Sequence, residues 1–310
     1  MTRRSMVGTV GAIAVQAQIK MGPPPHTKGP KVFLDYDQVE LDAAYNQALY
    51  APNAAEVQRR YARQSELTQS RLGAPVRAAY GPSEIEKLDI FRVAGRKAPV
   101  HLFIHGGAWR GGHANEMWFL ADLFAGAGIV FIVPDFAPVQ ELGGRLPVME
   151  RQVRRAVQWA REHAEEFGGD ASRMYVSGHS SGAHLLGATL TMLPPATVQG
   201  AMLISGMYDL RGPRLSSRST YVRFDDQTEE LLSPQRHIDK LRVPLIVAWG
   251  GLETPEFQRQ GREFAAALKA QGKAVETIVG ANYNHFELLE TLATPNGILG
   301  RAALRMMKAG

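Results

Sequence analysis

Gly178-His179-Ser180-Ser181-Gly182 decides how this chain is read. A short apolar run, Arg173-Met174-Tyr175-Val176-Ser177, leads into it, and an Ala/Leu-rich segment, Ala183 to Leu193, follows. The order is strand, tight turn, helix. A Gly-x-Ser-x-Gly in that setting puts its serine on a strained elbow, with the hydroxyl exposed at the helix N-terminus. The backbone turns so sharply there that a Cβ two residues either side of the serine would collide with its neighbours. The five-residue pattern alone is common in proteins. Its placement between a strand and a helix gives it weight.

A second motif lies upstream. Val100-His101-Leu102-Phe103-Ile104 is an apolar run, and His105-Gly106-Gly107-Ala108-Trp109 follows directly. An acyl-transfer serine needs backbone N–H groups aimed at the oxyanion of its transition state. Paired glycines after a strand let the backbone approach a substrate and keep those N–H groups free. Gly106 and Gly107 are therefore read as the oxyanion hole, joined by the N–H of Ser181, the residue after the nucleophile. The plainer reading is a glycine turn between strand and helix; the elbow downstream favours the catalytic one.

A serine also needs a base, and the base needs an orienting acid. Val243-Pro244-Leu245-Ile246-Val247-Ala248-Trp249 reads as a buried strand, with Glu253 on the loop at its C-terminal end, where ligands bind in open parallel sheets. Val275-Glu276-Thr277-Ile278-Val279 reads as the next strand, and His285 follows in the loop before a helix. The chain has nine histidines. His26, His163 and His237 sit in polar surroundings and read as solvated. His101 is a strand residue, His105 shapes the glycine turn, and His184 packs on the helix after the elbow. Only His285 has the order and strand context of a base. Asp209, after the strand Ala201 to Ile204, is the alternative acid. Glu253 is preferred because its strand immediately precedes the histidine's. Glu256 is a weaker rival, placed to serve a helix N-terminus. Trp109, His179, Tyr208 and Phe286 are the rings nearest the motifs and are the expected pocket lining.

Together, His105-Gly106-Gly107-Ala108-Trp109 and Ser177-Gly178-His179-Ser180-Ser181-Gly182-Ala183-His184-Leu185 resemble the kynurenine formamidase (arylformamidase) branch of the α/β-hydrolases. That branch is close to the hormone-sensitive-lipase-like carboxylesterases. Glu253-Thr254-Pro255-Glu256-Phe257 resembles the formamidase pattern around the triad acid, where aspartate is more usual. The resemblance runs from about Lys87 to the C-terminus. It implies an α/β-hydrolase fold, a Ser180–His285–Glu253 triad, no metal or other cofactor, and hydrolysis of small aromatic esters or amides. Ser181 in place of the commoner alanine and a different N-terminal third are its departures. A carboxylesterase is the first expectation and an arylformamidase the second. A catalytically inactive hydrolase fold used as a binding protein is the alternative of another class.

Composition bounds the rest. The chain has 310 residues, 45% hydrophobic and 21% charged, enough for one large α/β domain. Strand-like and helix-like segments alternate from about Leu88, which predicts a mostly parallel sheet with helices on both faces. The net charge is +5, but the basic residues are dispersed and not interleaved with aromatics, which argues against nucleic-acid binding. There are no cysteines, which excludes disulfides, a thiolate zinc site and a cysteine nucleophile. No segment reads as a membrane-spanning helix. The sequence does not specify an oligomeric state.

The expected organisation has four parts. Residues 1–17, with Arg3-Arg4 before a modestly apolar stretch, resemble a twin-arginine export signal, so a periplasmic or exported location is expected, with a cytoplasmic one as the alternative. Residues 18–34 are a proline-rich linker. Residues 35–80 are N-terminal helices, Asp37 to Tyr50 and Asn53 to Leu72, forming a partial cap. Residues 81–310 are the catalytic domain.

Overall fold

The structure is a computed structural model that describes residues 21–308. The export-signal reading at residues 1–17 lies outside the described residues.

Eight strands form one sheet. They are β1 (Val76–Ala79), β2 (Lys87–Phe91), β3 (Ala98–Ile104), β4 (Val130–Pro134), β5 (Gly169–His179), β6 (Gly200–Ile204), β7 (Leu245–Gly250) and β8 (Val275–Gly280). Their spatial order is β1-β2-β4-β3-β5-β6-β7-β8. β1 and β2 are antiparallel to their neighbours, and the remaining pairs are parallel. Parallel strands buried on both faces read as unbroken apolar runs. Val130–Pro134, Gly200–Ile204 and Leu245–Gly250 are buried at every position. Alternate residues feed two cores, one on each face. Leu102 and Ile104 pack into the first, with the helices Leu146–Glu162 and Ser181–Leu190. Phe103 packs into the second, with the helices Ala54–Leu72 and Ile298–Lys308. This is the mostly parallel sheet with helices on both faces that the alternating pattern predicts.

The N-terminal third differs in detail. The helix expected over Asp37–Tyr50 is a short helix, Gln38–Ala44, and a 3₁₀ turn, Gln47–Leu49. Asp37 caps the first, with Glu40 completing a reciprocal capping box. The long helix spans Ala54–Leu72, with Asn53 in the cap position but giving no side-chain capping bond. Asn53 instead binds Glu287 at 2.6 Å and Asn284 at 2.8 Å. The boundary expected at residue 80 also moves, because β1 already pairs with β2. A four-residue edge strand with mostly exposed side chains leaves no apolar alternation to read. His26, read as solvated, meets Asp37 at 2.9 Å. Near the C-terminus, the helix expected after His285 is a single turn, Glu287–Glu290, and Ile298–Lys308 forms a separate helix. No helix among the described residues is long and apolar enough to cross a membrane.

Two buried histidines should make the fold acid-sensitive. His101 hydrogen-bonds Ser177 Oγ at 2.7 Å and stacks on Phe124, and burial pushes its pKa down to about 3. Burial likewise pushes His184 down to about 4. An unfolded histidine takes up its proton near pH 6.5, so below that pH the unfolded chain binds more protons than the folded one. Stability should therefore fall as the pH drops from about 6.5 toward 5, by up to about 1.4 kcal/mol per pH unit for each histidine. Urea unfolding midpoints at pH 7, 6 and 5 test this, and a midpoint that stays constant over that range contradicts it.

Candidate active site

Ser180 joins β5 to the helix Ser181–Leu190 with φ 58° and ψ −125°, a backbone region that a side chain rarely adopts. Its N–H donates to the Ile204 carbonyl of β6 at 2.8 Å, which holds the elbow against the sheet. The two glycines have the steric role their spacing predicts. A Cβ on Gly178 would stand 2.8 Å from the Gly182 carbonyl oxygen. A Cβ on Gly182 would stand 2.3 Å from the carbonyl oxygens of both Ile104 and His105. The elbow is thus seated directly on the end of β3, beside the glycine turn.

That turn bends back over the serine. A Cβ on Gly106 would lie 3.0 Å from Ser180 Cβ. Gly107 has φ +119°, and a Cβ there would meet the Gly111 carbonyl oxygen at 2.0 Å. The N–H groups of Gly106 and Gly107 have no hydrogen-bond partner among the described residues. The N–H of Ser181 belongs to the first turn of its helix, where no intrahelical acceptor exists. Ser181 Oγ accepts from the Trp109 N–H at 3.2 Å and ties the turn to the helix.

His285 and Glu253 meet from two adjacent loops. His285 Nδ1 lies 3.1 Å from Glu253 Oε2, with both residues buried. A carboxylate partner places the proton on Nδ1 and leaves Nε2 as the acceptor. Glu253 Oε1 is held in turn by Ser205 Oγ at 2.5 Å and the Gly250 N–H at 2.6 Å. Ser180 and His285 line the same cavity, of about 980 Å³. They are not hydrogen-bonded to each other among the described contacts; such pairs are often loose before substrate arrives. The other two carboxylates are engaged elsewhere. Asp209 pairs with Arg236 at 3.1 Å. Glu256 receives Tyr45 Oη at 2.9 Å and Arg259 at 2.6 Å. Of the three acids, the structure brings Glu253 to His285.

The expected pocket lining divides. His179 and Phe286 do line the cavity. His179 Nε2 lies 2.9 Å from the His285 carbonyl oxygen, and the two rings are 4.5 Å apart. Burial, with the neighbouring imidazole, holds His179 well below the ordinary histidine range. Trp109 and Tyr208 do not line it. Trp109 is turned under the glycine loop, where its Nε1 donates to His184 Nδ1 at 3.2 Å. Tyr208 is buried against Phe264, with ring centroids 4.2 Å apart. Large rings beside a catalytic loop were expected to face the substrate, but burying their area in the core is the stronger force here.

The N-terminal segment, expected as a partial cap, adds contacts to the acid and base loops that the sequence reading did not name. Tyr45, Gln47, Gln58 and Tyr61 line the cavity, so the segment forms one of its walls. Gln47 Nε2 donates to Glu253 Oε2 at 3.3 Å, and its Oε1 accepts from the Thr254 N–H at 3.3 Å. The long helix grips the His285 loop on both sides. Asn53 holds Asn284, and Tyr61 Oη donates to the Phe286 carbonyl. Ser205 had a signal, since it ends a strand at the edge where ligands bind. Gln47 had none, because a glutamine in a short polar helix has no pattern to mark it. Among the described residues, His26, Asp37 and Glu40 have the spacing of a metal site. None of them lines the cavity, and Asp37 and Glu40 are occupied by the capping box.

Comparison with known proteins agrees with this fold. The family described as alpha/beta hydrolase fold matches residues 101–288. The chain is 30% identical to a kynurenine formamidase of Danio rerio, over 86% of this chain and 96% of that protein. It is 27% identical to the esterase LipC of Mycobacterium tuberculosis, over 64% of this chain and 56% of that protein. Among solved structures, a Silicibacter protein described as a candidate thioesterase superposes with a TM-score of 0.74 at 26% identity, covering 84% of this chain and 97% of that one.

Three substitutions test the geometry around Glu253. Glu253→Gln should lower kcat on the order of 10⁴-fold, as for a triad acid, while Asp209→Asn should change it little. The reverse pattern would transfer the role to Asp209. Gln47→Leu should lower kcat more modestly and shift the acid limb of the kcat/KM profile, because it removes a donor from Glu253 without touching the serine. Matched profiles for Gln47→Leu and the wild type would leave Gln47 with a packing role only.

Proposed function

Because the chain belongs to the α/β-hydrolase-fold family, we propose that it cleaves carboxylic esters of small aryl substrates through an acyl-enzyme formed on Ser180. Ser180 Oγ attacks the carbonyl carbon while His285 Nε2 takes its proton. Glu253 holds the imidazole in the required tautomer and stabilises its charged form. The N–H groups of Gly106, Gly107 and Ser181 receive the oxyanion, an interaction for which each donor is worth about 3 kcal/mol in the transition state. The protonated imidazole then returns its proton to the leaving oxygen. Water then attacks the acyl carbonyl as the same nitrogen takes its proton, and that proton passes to Ser180 Oγ as the acyl C–O bond breaks and the acid leaves.

One observation carries this reading: a buried His285–Glu253 pair opens onto the same cavity as a serine at φ 58° beneath a loop with free N–H groups. A protein that only binds has no need of that combination, which argues against the inactive alternative. The N-terminal segment acts as a partial cap. It walls the cavity, limits water, and supports the loops of the acid and the base.

A second reading, hydrolysis of an aryl formamide, is favoured by the near-full-length likeness to a kynurenine formamidase. The same residues serve it. An amine leaves only if His285 protonates it as the C–N bond breaks, so the proton must be placed more tightly than for a phenoxide.

Ser180→Ala should reduce kcat on the order of 10⁶-fold while the fold remains intact by circular dichroism. His285→Ala should match it, because triad members act as a unit. Equal loss in Ser181→Ala with activity kept in Ser180→Ala would misplace the nucleophile. For the substrate, short-chain aryl esters and N-formylkynurenine are to be compared by kcat/KM. A value for N-formylkynurenine well above that of every ester would make the second reading the function.

A further inference from the structure

Arg218 stands on the 3₁₀ turn Ser217–Thr220 and lines the same cavity as Ser180, although it is only 6% exposed. A guanidinium has five N–H donors. Here Nη2 donates to the Tyr45 carbonyl at 3.0 Å and Nη1 to Tyr221 Oη at 3.2 Å, while Nε is buried with no partner. Both partners are neutral. Among the described residues no carboxylate reaches Arg218 within 4.0 Å. The partly covered arginines elsewhere are different: Arg77, Arg214, Arg236 and Arg259 each hold at least one carboxylate. Of the carboxylates that line the cavity, Asp42 is taken by the Ser217 N–H at 2.6 Å and by Gln38, and Glu116 is exposed.

Burying a cation without a counter-charge is costly, and a fold that keeps one there has left room for an anion. The surroundings suit an aromatic carboxylate. The Arg218 guanidinium carbon lies 5.1 Å from the Trp109 ring centroid and 5.7 Å from that of Tyr45. Arg110, exposed and also on the cavity, has its guanidinium carbon 4.5 Å from the Tyr221 ring centroid. Two positive groups therefore line this cavity, with Tyr221 in contact with both. Desolvation, which lowers the pKa of Arg218, fits a charge waiting for its partner.

We propose that Arg218, with Arg110 beside it, binds a carboxylate that the substrate carries away from the bond being cut, so that the enzyme selects anionic aryl substrates. This rests on the reading of Ser180 as the nucleophile. The guanidinium's planar fork matches a carboxylate with two parallel N–H···O bonds, which a lysine cannot reproduce.

The test uses a matched pair, 4-acetoxybenzoate and 4-acetoxybenzamide, which differ in charge at the far end of the ring. Wild-type kcat/KM should favour the carboxylate by about tenfold or more, the worth of a charged hydrogen-bonded pair. That ratio should fall to near one in Arg218→Met, stay intermediate in Arg218→Lys, and drop two- to threefold or so in Arg110→Gln, whose charge is solvent-screened. Using the ratio cancels any general loss of activity. A binding arm separates the two readings: calorimetry of 4-hydroxybenzoate against 4-hydroxybenzamide on the Ser180→Ala protein. Preferential binding of the benzoate without turnover of either ester would retain the anion site and overturn the serine assignment. Turnover of both esters with a wild-type ratio near one, and equal binding of the two phenols, would overturn the anion site and leave the hydrolase reading standing. Should Arg218→Met not fold, the wild-type ratio and the Arg218→Lys and Arg110→Gln variants decide the matter.

Discussion

The absence of a side chain at residue 182 is the constraint on which the site depends. Two backbone carbonyls, those of Ile104 and His105, stand where a Cβ would be, at 2.3 Å. The first turn of the helix after the elbow can therefore rest directly on the end of β3. That contact sets how far Ser180 lies from Gly106, and so where the free N–H groups of the glycine turn point relative to the serine hydroxyl. The Ser181 hydroxyl bonded to the Trp109 N–H at 3.2 Å fastens the same two segments a few residues farther along. A displacement of about 1 Å between nucleophile and donors would forfeit much of what preorganisation supplies.

The second half of the site is held from outside the sheet. Strand ends deliver Glu253 and His285 to neighbouring loops, but a loop alone does not hold an imidazole still. The helix Ala54–Leu72 and the turn before it do so, through Asn53 on Asn284, Tyr61 on the Phe286 carbonyl, and Gln47 on Glu253. Arg60 adds a charged pair with Glu290 at 2.7 Å. The segment that walls the cavity is thus the one that steadies His285 and Glu253. Cover and alignment are coupled, and a change in the N-terminal segment would reach the chemistry through these bonds.

The cavity is chemically uneven. Its lining combines the serine, the glycine loop and the neutral His179 with Arg218 and Arg110, which sit against aromatic rings and have no carboxylate partner among the described residues. Trp109 connects the two, since it lies under the loop that carries Gly106 and Gly107 and against the Arg218 guanidinium. It was expected in the substrate pocket. It is instead a buried plate that contacts Ser181, His184 and the Arg218 guanidinium without lining the cavity.

The sequence alone determined the elbow, the glycine turn, the histidine and the order of the strands that present them. These features are local: a strand period, a required glycine and a loop at a strand's end are set by residues adjacent in the chain. It also favoured Glu253 over Asp209, by strand order. The tertiary structure decided what depends on residues far apart in sequence. Asp209 is withdrawn by Arg236, Trp109 and Tyr208 are drawn into the core, and β1 joins the sheet through its pairing with β2. Gln47 reaches Glu253 across 206 positions of sequence, and Arg218 reaches the Tyr45 carbonyl across 173. No periodicity marks such residues, because their partners, and the absence of a counter-charge at Arg218, exist only once the chain has closed around the cavity.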